Sequence, residues 1–180
     1  MKQYDLTGHY FDGVARVKLD GKWGFVDEQG NEICPIKYDW VDDFINGFTR
    51  VKLNGKWGLI NYNGNEICDL KYDDIWNFKN GFAAVELNDK LGFINRLGVE
   101  ICEIKYDNVW CFYNGFAKVE LNDKLGFIDK EGSEICEIKY DDVWDFNDGF
   151  AKVLLGEDVF YIDKNGVEYN KIEKYVRRQE

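Results

Sequence analysis

An all-β repeat fold follows from three features of this 180-residue chain. The first is a period of 34 residues, marked by Gly13, Gly47, Gly81, Gly115 and Gly149. The second is strict alternation after each glycine in an x-Val-x-Leu run: Val17/Leu19, Val51/Leu53, Val85/Leu87, Val119/Leu121 and Val153/Leu155. Alternation over a short run is the signature of a strand with one buried face. The third is turn chemistry, in which Asx and Gly pairs punctuate every unit. A fixed period of this size marks units that bury their apolar faces against their neighbours rather than within themselves.

Each element can be justified in chain order. The x-Val-x-Leu strand ends at Asp20-Gly21, Asn54-Gly55, Asn88-Asp89 or Asn122-Asp123, pairs suited to positive φ in a two-residue type I′ hairpin. The second strand, Lys22-Trp23-Gly24-Phe25-Val26 and its copies, runs into Asp27 to Gly30, Asn61 to Gly64, Asn95 to Gly98, Asp129 to Gly132 and Asp163 to Gly166. Asp or Asn first and Gly fourth is the type I preference, so a third strand follows at Glu32-Ile33-Cys34 and its equivalents. Each unit is thus a three-stranded meander. The remainder, Lys37-Tyr38-Asp39 with Val41 and Phe44 and so on to Phe146, has apolar residues spaced by three after an aspartate. That pattern suits a turn of helix or a tight connector better than a strand.

Length and composition are consistent with one domain spanning residues 1–180, with units near 10–43, 44–77, 78–111, 112–145 and 146–175 and a degenerate C-terminal cap over 156–180. Hydrophobic residues make up 45% of the chain and aromatics 17%, enough for a substantial core. A single proline, Pro35, and no compositional shift argue against linkers. No window is long and apolar enough for a membrane span, and Met-Lys-Gln-Tyr-Asp lacks a secretory apolar stretch, so a cytoplasmic protein is expected.

The segments Gly-Lys-Trp-Gly-Phe-Val-Asp (21–27), Gly-Lys-Trp-Gly-Leu-Ile-Asn (55–61), Lys-Leu-Gly-Phe-Ile-Asn (90–95) and Lys-Leu-Gly-Phe-Ile-Asp (124–129) resemble bacterial WG repeats. Two departures stand out: Leu91 and Leu125 replace the tryptophan, and Val159-Phe160 replaces the pair in the last copy. The resemblance implies an all-β repeat module and no common catalytic activity. An open β-solenoid-like stack is expected, with a closed five-bladed propeller-like ring as the alternative. Loss of Trp-Gly and of the acidic connector before Lys171 to Arg178 is what a polar cap on an open stack would show.

Site chemistry is sparse. Cys34, Cys68, Cys102 and Cys136 share one repeat position, a full period apart, and His9 is the lone histidine, which argues for core packing rather than zinc. No phosphate-binding, serine-hydrolase or metalloprotease motif occurs, and although Asp129 to Glu134 offers oxygens, its copy Asn95-Arg96-Leu97-Gly98 would ligate calcium poorly and the Asp-x-x-Gly spacing is that of a turn, so no enzyme and no cofactor are expected.

Two features remain as candidates for binding. Register from the two-residue turn places Val51 opposite Gly58 on a core face, and Arg50 opposite Leu59 and Lys52 opposite Trp57 on the other. That second face is expected to be amphipathic, partly roofed by the connector, with charged stems lying over Trp23 and Trp57. As an aromatic groove it would also draw on Trp76, Trp110 and Trp144 in the connectors. Meanwhile the net charge of −11 is concentrated in connector carboxylates: Asp39, Asp42, Asp43, Asp73, Asp74, Asp107, Asp141, Asp142, Asp145 and Asp148. Such a ridge disfavours nucleic acid and favours basic surfaces. The expected role is a protein-interaction module without a membrane partner. The alternatives are an acidic inhibitor that mimics nucleic acid in a basic groove, and an aromatic-groove binder of a glycan or other ligand.

Overall fold

The structure is a computed structural model that describes residues 2–170, all of them in strands, turns and irregular segments. Contacts divide the described residues into two compact units, one running to Ile75 with Leu97–Val99, the other holding Trp76–Arg96 and residues 100–170. The first unit contains two four-stranded antiparallel sheets, each in simple sequence order. One is β1 (Leu6–Thr7), β2 (Val14–Leu19), β3 (Lys22–Asp27) and β4 (Glu32–Tyr38); the other is β5 (Trp40–Val41), β6 (Phe48–Leu53), β7 (Lys56–Asn61) and β8 (Glu66–Tyr72). A short strand, β9 (Asp74–Ile75), closes this unit.

The second unit repeats the plan. Its first hairpin is β10 (Phe82–Leu87) with β11 (Lys90–Asn95). Next come β12 (Asn108–Val109), β13 (Ala117–Leu121) and β14 (Lys124–Ile128), then β15 (Asp142–Val143), β16 (Phe150–Leu155), β17 (Asp158–Asp163) and β18 (Glu168–Tyr169). The expected cap from Lys171 lies outside the described residues.

The hairpin register is the one the turns predict: Leu53 pairs with Lys56, Lys52 with Trp57, Val51 with Gly58, Arg50 with Leu59 and Thr49 with Ile60. Asn54 and Gly55 take φ of 51° and 81°, and Asn88 and Asp89 take 54° and 60°, both residues left-handed as a type I′ turn requires.

The connector departs from expectation. It forms no helical turn; its first residues are a two-residue strand paired with the one that follows, Val41 opposite Val51 and Asn108 opposite Glu120. The reason is a second tight turn. Asn46-Gly47 has φ of 54° and 97° and is closed by an Ile45–Phe48 bridge, so the connector is folded back antiparallel along β6. Asn80-Gly81, Asn114-Gly115 and Asp148-Gly149 do the same. Each connector thereby adds an edge strand to the expected meander.

The third strand is bulged. Trp23 pairs with Tyr38, Phe25 with Cys34 and Val26 with Glu32, with register shifts between them. In the third and fourth repeats only the ends of this crossing remain paired, Leu91 with Tyr106 and Ile94 with Glu100, then Leu125 with Tyr140 and Ile128 with Glu134. The bulge presses on the glycine of the Trp-Gly pair: a Cβ on Gly24 would sit 3.0 Å from Ile36 Cα, and one on Gly126 would sit 3.1 Å from Ile138 Cα.

Both faces of the hairpin are covered. Val17, Val51, Val85, Val119 and Val153 are fully buried on one face; Phe25, Leu59, Phe93 and Phe127 are buried on the other. The connector phenylalanine roofs this second face edge-on, with ring centroids 4.7 Å apart for Phe44 and Phe25 and 5.0 Å for Phe146 and Phe127. Tyr38, Tyr72, Tyr106 and Tyr140 fill the space beside it, each essentially inaccessible. The amphipathic face is therefore roofed more completely than its sequence suggests, because the back-folded connector lies directly over it.

Successive repeats are stapled by one recurring contact. The Tyr106 hydroxyl donates to Glu134 at 3.2 Å and Lys105 pairs with the same carboxylate at 2.9 Å. One period later Tyr140 donates to Glu168 at 2.8 Å and Lys139 pairs with it at 2.8 Å. Glu134 and Glu168, which would repel as part of a bare ladder, are thus each met by the Lys-Tyr of the repeat before.

Candidate functional site

The tryptophans fall into two classes. Trp23 and Trp57 lie on the second strand, half-buried beneath cations: Arg16 and Lys18 sit 5.8 and 5.2 Å from the Trp23 ring, Arg50 and Lys52 5.5 and 5.1 Å from the Trp57 ring. Their charged stems cover the indoles while the heads reach water, so these two rings serve packing. Trp76, Trp110 and Trp144 differ. They stand at one connector position, a period apart, and are 41%, 37% and 41% exposed.

These exposed indoles are held in place. Their backbone amides donate to the carbonyls of Ala84, Lys118 and Lys152 at 2.9, 3.0 and 2.9 Å. The strand edge presents each ring in the same way on a fixed backbone. Lys118 lies 5.9 Å over the Trp110 ring and Lys152 4.5 Å over that of Trp144. Trp40, which sequence reasoning passed over, is 48% exposed but lies two residues earlier in its connector, edge-on to Trp23 at 6.1 Å.

The connector carboxylates are mostly engaged. Asp39, Asp73, Asp107 and Asp141 pair with Lys22, Lys56, Lys90 and Lys124 at the far end of the same hairpin. Asp39, Asp107 and Asp141 also accept the hairpin-turn amides of Asn54, Asn122 and Gly156, each at 2.6 Å. The lysine bond first, and these amide bonds with it, hold the three carboxyls below the usual aspartate range. Asp42 takes Arg50 Nε at 2.6 Å and the Trp40 indole at 3.1 Å, and Asp43 and Asp145 pair with Arg16 and Lys118 at 3.5 and 3.0 Å. Asp74 and Asp142 cap the next backbone amide, and Asp148 occupies a left-handed turn position. The aspartates are brought together as a set of structural clamps, with their charge largely matched by lysine and arginine.

Among the described residues no cluster of His, Cys, Asp or Glu is placed to hold a metal, and no helix is long and apolar enough to cross a membrane. Cys34, Cys68, Cys102 and Cys136 share one environment, each thiol raised chiefly by burial, Cys34 and Cys68 to about 11. Cys111 is exposed.

The description "WG containing repeat" matches residues 2–23, 23–57, 57–90, 92–124 and 126–157, nearly the whole chain. The chain belongs to the WG containing repeat family. Comparison with curated proteins returns no match. Among solved structures, Kluyveromyces lactis Hsv2 is similar at TM-score 0.39 and 12% identity over 87% of this chain and 59% of that one. Apo AztD from Citrobacter koseri gives 0.40 and 11% over 92% and 59%. The extracellular domain of the BT4673 putative hybrid two component system from B. thetaiotaomicron gives 0.33 and 11% over 93% and 29%. The WG chain thus spans less than two thirds of each.

The third WG repeat has an open groove. In the second unit a cavity of about 240 Å³ is bounded by Trp76, Ala84, Leu91, Phe93, Val109 and Phe112. It lies where the third repeat replaces two WG features at once, the tryptophan by Leu91 and the strand cation by Ala84. Those replacements are readable in the sequence; that they open a groove is not, because the roof depends on where the connector folds back.

Proposed function

We propose that this WG repeat chain is a non-enzymatic protein-interaction module that reads its partner with the connector indoles. The observation that carries this reading is the row Trp76, Trp110 and Trp144: three large aromatic side chains, each more than a third exposed, presented from equivalent backbone positions within one unit. An indole with no core to fill is costly to leave in water, and tryptophan is enriched where partners bind tightly. The engaged state of Asp39, Asp107 and Asp141 gives the acidic surface a supporting role, steering a basic partner rather than imitating nucleic acid.

The test is affinity capture by the full chain, compared with Trp110→Ala and Trp144→Ala. Captured protein should be lost from both variants while urea midpoints stay near the parent's. A partner retained by both, but eluted by moderate salt, would favour the acidic-mimic reading. A change of indole fluorescence with sugars would favour the glycan reading.

A further inference from the structure

We propose that the groove beside Trp76 is a receptor for a single lysine side chain of the partner, a site that the protein covers with its own cation in its fourth and fifth repeats. This rests on the interaction-module reading and specifies one contact within it.

The repeat supplies its own controls. At the position of Ala84 the other copies carry Arg16, Arg50, Lys118 and Lys152. Lys118 and Lys152 lie over the rings of Trp110 and Trp144, the indoles equivalent to Trp76. Arg50 reaches instead to the following connector, where its Nη1 donates to the Ile75 carbonyl at 2.5 Å. The residue equivalent to Ile75 in the third repeat is Val109, which lines the groove. The cavity therefore corresponds to the volume that Lys118 and Lys152 occupy in the fourth and fifth repeats, with the Trp76 indole and Val109 among its walls; in the first repeat, which has Gly8 at the indole position, Arg16 lines a cavity of its own. Ala84 leaves it empty.

Charge agrees with shape. Two residues along the same strand face, the first two repeats have Lys18 and Lys52, whereas the third has Glu86, opposite Leu91. The pair of positions over the second strand thus changes from two cations, Arg50 and Lys52, to Ala84 and Glu86. The fourth repeat balances Lys118 against Glu120, and the fifth has Lys152 with Leu154. Among the described residues no cation lies over Trp76, and Glu86 makes no ion pair. Lys79 stands at the groove rim, exposed, with a stem long enough to keep its charge in water. An incoming ammonium on an aliphatic stem finds Phe93 and Leu91 for its methylenes, the Trp76 face for its charge and Glu86 nearby. A neutral side chain of equal length satisfies only the first of these.

The experiment is an NMR titration of the ¹⁵N-labelled full chain, read at the indole N–H resonances. The probe is a short capped peptide with one lysine among neutral residues, and the control carries norleucine in its place. The lysine peptide should shift the Trp76 indole saturably, with the norleucine peptide binding about tenfold more weakly, the scale of a well-formed cation–π contact. Ala84→Lys, which restores the residue of the fourth and fifth repeats, should abolish the shift. Lys152→Ala should confer the same response on the Trp144 indole. Equal binding of the norleucine peptide, or an undiminished Trp76 shift in Ala84→Lys, would overturn the proposal. So would lysine-dependent shifts confined to resonances remote from Trp76; partner capture that still required Trp110 and Trp144 would then leave the module reading standing. Should Ala84→Lys fold poorly, Trp76→Ala offers the same test through the Ala84 and Cys111 amide resonances, which should cease to respond.

Discussion

Trp57 and Trp144 show how one residue type is put to two uses by its place in the repeat. Trp57 lies under Arg50 and Lys52 and pairs with Tyr72 across the bulge, so truncation removes half-buried packing. Trp57→Ala should cost about 2 kcal/mol, roughly half the value for a fully buried indole, seen as a lowered urea midpoint; an unchanged midpoint would show that the ring contributes nothing to the core. Cysteine reactivity follows from burial in the same way. Thiolate, not thiol, is alkylated, and burial raises Cys34 and Cys68 to about 11, and Cys102 and Cys136 upward with them. Exposed Cys111 should therefore be labelled first in the native protein at neutral pH, the other four only on unfolding. Mass spectrometry of a time course distinguishes this from uniform labelling.

The strand hairpins and the type I turns were legible in the sequence because their chemistry is local: Asn54-Gly55 determines register without reference to anything distant. The connector was not. Its Val41 and Phe44 spacing suits a turn of helix or a tight connector, and the decisive signal, Asn46-Gly47 two residues on, is a second hairpin pair whose effect depends on which strand the connector folds back along. The exposed tryptophans could be named from sequence but not sorted, since whether an indole is roofed depends on where the connector folds back. Neighbouring repeats approach closely at the Asp-x-x-Gly turn. A Cβ on Gly132, at φ 83°, would sit 1.8 Å from the Ile101 carbonyl oxygen of the preceding repeat, whereas Gly115, at φ 96°, has nothing nearer than Lys130 Cε at 3.9 Å. Gly115→Ala should cost about 1 kcal/mol from backbone strain alone. Gly132→Ala adds a backbone clash and should cost about 3 kcal/mol or more, read from urea midpoints. Equal costs would mean the repeats are not in contact at that turn.

Over the whole chain, stability is a sum of repeat and nearest-neighbour terms, so the lysine–aspartate clamps act together. Asp39, Asp107 and Asp141 are held below the ordinary 3.8 by Lys22, Lys90 and Lys124. A depressed carboxyl contributes stability that is complete above its unfolded value and lost as pH falls through the folded one. Urea midpoints should thus be level from about pH 7 to about pH 5 and fall below about pH 4, and Lys22→Met should soften that acid limb. A decline beginning well above pH 5 would point to other groups. Recurring residues build the scaffold while the connector indoles face outward, and that division runs through the described repeats. It is tested most directly by paramagnetic broadening of the six indole N–H resonances with a neutral soluble probe. Trp76, Trp110, Trp144 and Trp40 should broaden strongly and Trp23 and Trp57 weakly; equal broadening of all six would contradict it.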